Sequence, residues 1–392
     1  MTRDPTSPSL ADALAADLAA REAAGTYRWC SVVDSAADAT VVVDGRAMVC
    51  LGSNNYLGLA NDPAVKRAAV EAIGRWGVGS GASRLITGTT GPVEALERDL
   101  AAFKGAEAAL VTSTGWQANA SALAALAGRG DLILSDKLNH ASLLDGAKAT
   151  GALLRTYRHG DVERLRALLE RLRPRHRRCV IVTDGLFSMD GDVAPLAELV
   201  AFKRHYDAIL VVDDAHATGV LGAGGRGSAE AAGVADGVDV TVGTLSKALG
   251  GLGGFVTGPR VVIETIVNRA RPFIYTTALP AALAAAAAEA LRIVRAEPQR
   301  RRTCLALAER LRGELHSAGF ETGASTTQII PILLGAPART VDVARRCAEA
   351  GLLVPAIRPP AVAPGTSRLR ISVMATHDWA DLARLVNVLR GE

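Results

Sequence analysis

Cysteine is scarce and poorly spaced for any pairing role. The five thiols, Cys30, Cys50, Cys179, Cys304 and Cys347, form no CxxC couple. Neither a zinc site nor a disulfide framework is signalled, and reduced thiols suit a cytoplasmic protein. No HExxH string occurs among the seven histidines, so no metal is expected. No G-x-S-x-G elbow occurs either, which leaves a serine hydrolase unsupported. Long apolar runs are missing. The most apolar stretch, Ala281–Ala288, is nearly all alanine and is followed by Glu289 and Arg292; it reads as a packed helix, not a membrane span. The alanine-rich N-terminus is broken by Asp12, Asp17 and Glu22, unlike a signal peptide. The basic cluster Arg171–Arg178 lacks interleaved aromatics. It reads as a solvated helix end, and nucleic acid is not an expected partner.

What is present is material for a large core. Hydrophobic residues make up 49% of 392 positions, charged residues 21%, and the net charge is +4. That length predicts two or three packed units. Residues 1–8 are polar and expected to fray. Leu10, Leu14 and Leu18 recur four apart, which predicts an amphipathic helix over 10–24. Two short strands follow, 40–43 and 47–51, around an Asp44-Gly45 turn. Strands are then predicted at 108–111, 132–135, 180–183, 209–212, 238–242 and 254–257, with helices between most of them. Strands alternating with helices imply a largely parallel sheet covered on both faces. From about residue 281 the texture changes to long helices, an edge strand 329–334 containing Pro331, and a strand at 368–373. The division read from this is 1–57 for an N-terminal helix and short strands, 58–284 for a large α/β domain, and 285–392 for a smaller α+β domain.

One stretch concentrates chemistry. Val240–Gly254 carries a single lysine, Lys247, between Thr244 and Ser246 on one side and four glycines on the other. A lysine in a glycine-rich loop is ordinarily explained by solvent. Partial burial, however, lowers an ammonium's pKa and frees a neutral amine to attack an aldehyde. Hydroxyls suit a phosphate, and glycines admit a flat ring. Together these point to pyridoxal 5'-phosphate (PLP). That cofactor needs an anion at its pyridine nitrogen, for which Asp213 ends an apolar strand. It needs a phosphate cradle, for which Gly115 and Trp116 open a helix after a strand, joined by Thr244. It needs a ring contact, for which His140 and His216 are available. Gly115, His140, Ser188, Asp213, His216 and Lys247 all fall just after predicted strands, where ligands of such sheets sit. GAGGRG at 222–227 matches G-x-G-x-x-G literally, but no full helix follows it, so it reads as a loop.

The strings SNNYLGL, LNHASLLDG, TDGLFSMDGD, VDDAHATGV, GTLSKALGG and AIRPPAVAPGTSRLRIS resemble the α-oxoamine synthases across nearly the whole chain. The resemblance implies a fold-type-I PLP-dependent transferase that joins an amino acid to an acyl thioester and releases carbon dioxide. The resemblance of AIRPP points, within that family, to L-alanine and a pimeloyl thioester, pimeloyl-CoA or its carrier-protein counterpart. A sibling such as glycine C-acetyltransferase, or a silent ligand-binding relative, stays open. By motif, Lys247 would bind PLP covalently, Asp213 would pair with its nitrogen and His140 would stack on its ring. His216 and Ser188 would address the ring hydroxyl. Arg358, helped by Asn54, would hold the amino-acid carboxylate, and Arg28 the acyl carboxylate. The family also implies a homodimer with shared sites, in which Thr276 and Thr277 reach the partner's phosphate.

Overall fold

The structure is a computed structural model that describes residues 9–391; the expectation for residues 1–8 lies outside them. Helix Leu10–Ala23 forms behind a Ser9 cap, yet it buries no residue, and Leu10, Leu14 and Leu18 face outward. β1 (Thr40–Val43) and β2 (Arg46–Cys50) pair antiparallel. Asp44 and Gly45 between them both have positive φ, 50° and 72°. That geometry gives a two-residue turn the twist a hairpin requires.

Seven strands build the main sheet. They are β3 (Ala108–Thr112), β4 (Leu132–Asp136), β5 (Leu153–Tyr157), β6 (Cys179–Asp184), β7 (Ile209–Asp213), β8 (Val240–Thr244) and β9 (Gly254–Gly258), in the order β3-β9-β8-β7-β6-β4-β5. Only β9 runs antiparallel to its neighbours. The period of two decides which face each side chain serves. Val180 and Val182 of β6 pack with the helix Gly115–Leu126, whereas Cys179 and Ile181 pack with the helices Val162–Leu172 and Leu196–His205. Strand β5 is not legible in the sequence, because this edge strand exposes Arg155 and Thr156 and so lacks a buried pattern.

The last third folds around β10 (Ile329–Gly335), β11 (Leu352–Leu353), β12 (Ala356–Ile357) and β13 (Ser367–Ser372). β13 lies between β10 and β12, antiparallel to both. Pro331 falls on the outer strand β10, where its missing N–H does no harm. β11 joins β2 in parallel, so Val49 and Leu51 share a core with Leu352, Leu369 and Leu385. The alanine-rich helix Ala281–Ala296 packs with the helices Pro63–Trp76 and Gly91–Lys104. No helix among the described residues is long and apolar enough to cross a membrane.

Candidate active site

A cavity opens at the carboxyl ends of β4, β6, β7 and β8. Its walls include Gly115, Trp116, His140, Asp213, His216, Thr244 and Lys247, together with Asn119, Ser142, Asp184, Leu186, Ala215, Gly243 and Ser246. Seven residues singled out in the sequence thus meet in one place. The sheet brings them there: parallel strands end in register, and the chain turns at each end with polar residues exposed to the same crevice.

The phosphate corner forms where β3 meets the helix Gly115–Leu126. Thr114 caps that helix through its side chain, while the N–H groups of Gly115 and Trp116 have no carbonyl one turn back to bond. Thr244 Oγ1 and Ser246 Oγ lie 2.6 Å apart facing them. Glycine is required at 254. A Cβ there would stand 2.5 Å from the Thr114 carbonyl oxygen and 2.6 Å from Gly115 Cα.

The nitrogen end is built on Asp213. Its Oδ2 accepts from Asn119 Nδ2 at 2.6 Å and its Oδ1 from the Ala215 N–H at 2.9 Å. The same Asn119 amide donates to Ser142 at 2.9 Å, and Ser142 Oγ lies 2.7 Å from His140 Nδ1. Burial lowers the His140 pKa. Trp116 meets the His140 ring edge to face at 5.9 Å. The His140 N–H points at Asp184, whose carboxyl is pushed well above the usual range by burial and by the charge of Asp213.

Lys247 Nζ lies 3.0 Å from His216 Nε2, and His216 Nδ1 lies 2.6 Å from the Tyr56 hydroxyl. Burial drives all three toward neutrality. It brings Lys247 down to about 8, holds His216 well below its ordinary value and pushes Tyr56 up to about 12. Tyr56 also meets Asn54 Oδ1 at 3.1 Å, and Asn54 Oδ1 accepts from Arg370 at 3.2 Å. The Arg370 charge is felt at both His216 and Lys247.

Other expected residues fall elsewhere. Arg358 donates to the Gly25 carbonyl at 2.7 Å and lines a separate groove with Tyr27 and Trp29. Its guanidinium is turned toward the N-terminal segment and is not part of the cavity wall. Arg28 donates back to the Pro359 carbonyl at 3.4 Å. Ser188 offers its carbonyl, not its hydroxyl, to Arg370 Nε. Thr276 and Thr277 lie outside the cavity, with the Thr277 carbonyl accepting from Ser113 at 2.8 Å. Asn119, Asp184, Tyr56 and Arg370 were not assigned from the sequence. Two left signals. Asn119 is four residues beyond Gly115, one helical turn on, and so shares its face. Arg368 and Arg370 alternate with Leu369 and Ile371, a polar strand face turned toward another unit.

This is a site for a flat, phosphorylated aldehyde cofactor. The orphaned Asn119 Oδ1, buried without a partner, lies on the same cavity wall. The chain belongs to the aminotransferase class I and II family, which matches residues 46–389. It is 51% identical to an 8-amino-7-oxononanoate synthase of Geobacter sulfurreducens, over 92% of this chain and 93% of that one. It is 49% identical to the synthase of the same name from Methylococcus capsulatus, over 99% and 98%. A serine palmitoyltransferase solved with PLP as an internal aldimine superposes with a TM-score of 0.93 at 33% identity, covering 98% of each chain.

Proposed function

We propose that this chain is an 8-amino-7-oxononanoate synthase. It condenses L-alanine with pimeloyl-CoA to give 8-amino-7-oxononanoate, coenzyme A and carbon dioxide, the chemistry of biotin biosynthesis. The observation that carries the reading is the buried Lys247 amine, its pKa brought down to about 8, lying 3.0 Å from His216 and within the field of Asp213, which Asn119 holds, in a chain about half identical to synthases of that name.

The residues present fit PLP. Gly115, Trp116, Thr244 and Ser246 would hold its phosphate, Asp213 its pyridine nitrogen and His140 its ring face, with Lys247 as the covalent anchor. Bound there, PLP supplies a protonated ring that takes up the electron pair left on the substrate's α-carbon. Asp213 keeps that nitrogen protonated, and Asn119 keeps Asp213 aimed. The Lys247 amine, half of it neutral at about pH 8, takes the α-proton and later returns one. His216 stays uncharged beside it, so it does not oppose the amine's protonation as a fixed cation would. Arg370 would grip the amino-acid carboxylate, since its charge acts on both His216 and Lys247. Its planar fork suits two parallel hydrogen bonds. Asn54 and the Ser188 carbonyl orient it.

A homodimer completes this reading. Val78, Leu85, Ile86, Trp116 and Tyr275 are exposed apolar side chains on adjoining segments, and Thr276 and Thr277 lie among them. A second copy on that face would shield these side chains and bring the threonines to the partner's phosphate corner. The five unbridged thiols support a cytoplasmic setting. The deciding experiment is a panel of amino acids and acyl thioesters with the PLP-loaded chain, scored by thiol release. L-alanine with pimeloyl-CoA should give the highest kcat/KM. Preference for glycine with acetyl-CoA would overturn the reading in favour of a sibling synthase.

A further inference from the structure

His159 takes no part in the chemistry above, yet both its ring nitrogens are engaged. It follows β5 at the edge of the main sheet. Nδ1 lies 3.1 Å from Asp136 Oδ2 at the end of β4, and Nε2 lies 2.7 Å from Asp192 Oδ2 beyond β6. An ionised carboxylate only accepts, so both ring nitrogens carry protons and the ring is a cation shared by two acids. The acids push its pKa up to about 10, Asp136 first and Asp192 second. These are the charged groups that face it; Tyr157, two residues before it at the end of β5, neighbours Asp136. Phe187 packs against the imidazole edge to face at 4.3 Å.

Asp192 closes a compact loop. Its carbonyl accepts from the Phe187 N–H at 3.0 Å, and Leu186 bridges Val193. Asp184 and Leu186, at the start of this loop, line the cavity. The far side meets β13, where the Ser188 carbonyl accepts from Arg370 and Asp190 pairs with Arg368. The loop is therefore held between His159 on one side and two arginines on the other.

We propose that His159 is a positioning residue for the reaction: by bridging Asp136 and Asp192 it fixes the loop 184–193 where Ser188 can orient Arg370. The role assigned to Arg370 rests on the function proposed above; the placement of the loop does not. The test uses the PLP-loaded enzyme with His159→Gln and the double variant His159→Gln/Asp192→Asn. Glutamine cannot span both acids, which leaves two carboxylates facing each other without a cation; the added asparagine removes that repulsion and can pair with the glutamine amide, which restores a link to the loop that Asp192→Ala lacks. The single variant should lose about tenfold to a hundredfold in kcat/KM for the amino acid, the cost of a misplaced contact. Its KM for the thioester should stay within about twofold. The double variant should recover most of the loss. Hydrogen–deuterium exchange on the substrate-free chain should quicken in peptides covering 185–193 in the single variant and slow again in the double. Should His159→Gln not fold, Asp192→Ala, which breaks only the contact to the loop, should show the same faster exchange and the same kinetic loss. Parental kinetics and parental exchange would overturn the proposal. So would a lowered Tm with kcat/KM per loaded site unchanged, which would mean support of the fold alone. If the parent turns over no amino acid with any thioester, the proposed function fails, and the exchange measurement still decides whether His159 places the loop.

Discussion

Lys247 shows how much one side chain's surroundings decide. An ordinary lysine titrates at about 10.4, whereas burial brings this one to about 8. Only the neutral amine attacks the PLP aldehyde. The rate of covalent attachment of PLP to the cofactor-free chain should therefore rise with pH and level off above about 8, followed by absorbance. A midpoint near the ordinary lysine value would mean that the amine is solvated. Lys247→Ala should still bind PLP noncovalently but show no borohydride-trappable adduct and no turnover. Asp213 offers a second test. Asp213→Asn keeps the shape and removes the charge, and should lower kcat by about a hundredfold or more, roughly 3 kcal/mol, the scale of a broken buried charge pair. Wild-type rates of α-proton exchange in that variant would remove Asp213 from its role. Arg370→Ala should raise KM for the amino acid more than Arg358→Ala does, by about 2–5 kcal/mol in kcat/KM against a much smaller change. The reverse ranking would return the carboxylate to Arg358.

At the scale of elements, the phosphate corner depends on how closely β9 passes under a helix start. A methyl at 254 would press on the Thr114 carbonyl and the Gly115 backbone, and neither can swing away as a side chain tip would. Gly254→Ala should cost about 1–3 kcal/mol in stability by overpacking and weaken PLP binding, read by equilibrium dialysis. Gly74 is the contrasting case. It lies inside the helix Pro63–Trp76, and an added Cβ there meets nothing within 4 Å. Gly74→Ala should stabilise the chain by about 0.5–1 kcal/mol, because alanine loses less backbone freedom in a helix, with PLP affinity unchanged. Gly74 lies away from the corner and serves as the control, so equal effects on PLP affinity would refute the account of the corner.

Across the whole molecule, buried ion pairs join elements far apart in sequence. Lys104, at the end of one helix, meets Asp214 beyond β7 at 3.2 Å, Thr218 at 2.9 Å and the Arg226 carbonyl. Both side chains of the pair are nearly inaccessible, at 5% and 1% exposure. Lys104→Ala would leave the Asp214 carboxylate buried without its cation and should cost about 3–5 kcal/mol in chemical denaturation. A loss under about 1 kcal/mol, the worth of a surface pair, would show that water reaches Asp214.

The sequence by itself determined most of the elements and most of the residues that meet in the cavity. Period-two and helical spacing marked most strands and helices; Lys247, Asp213, His140, His216 and Thr244 announced themselves as polar residues at or just past the ends of apolar strands, and Gly115 as the start of a helix after one. Such signals are local: each needs only neighbours within a few residues. The tertiary structure alone decided the rest, because the rest is contact between distant segments. β11 pairs with β2 across about 300 positions, and no periodicity encodes a partner. Asn119, Tyr56 and Arg370 gain their places from Asp213, His216 and Asn54. Arg358 stands in a string that resembles a binding motif, yet its hydrogen bond to Gly25 turns it elsewhere. A side chain's chemistry is written in its own position, but the direction it points is set by what packs against it.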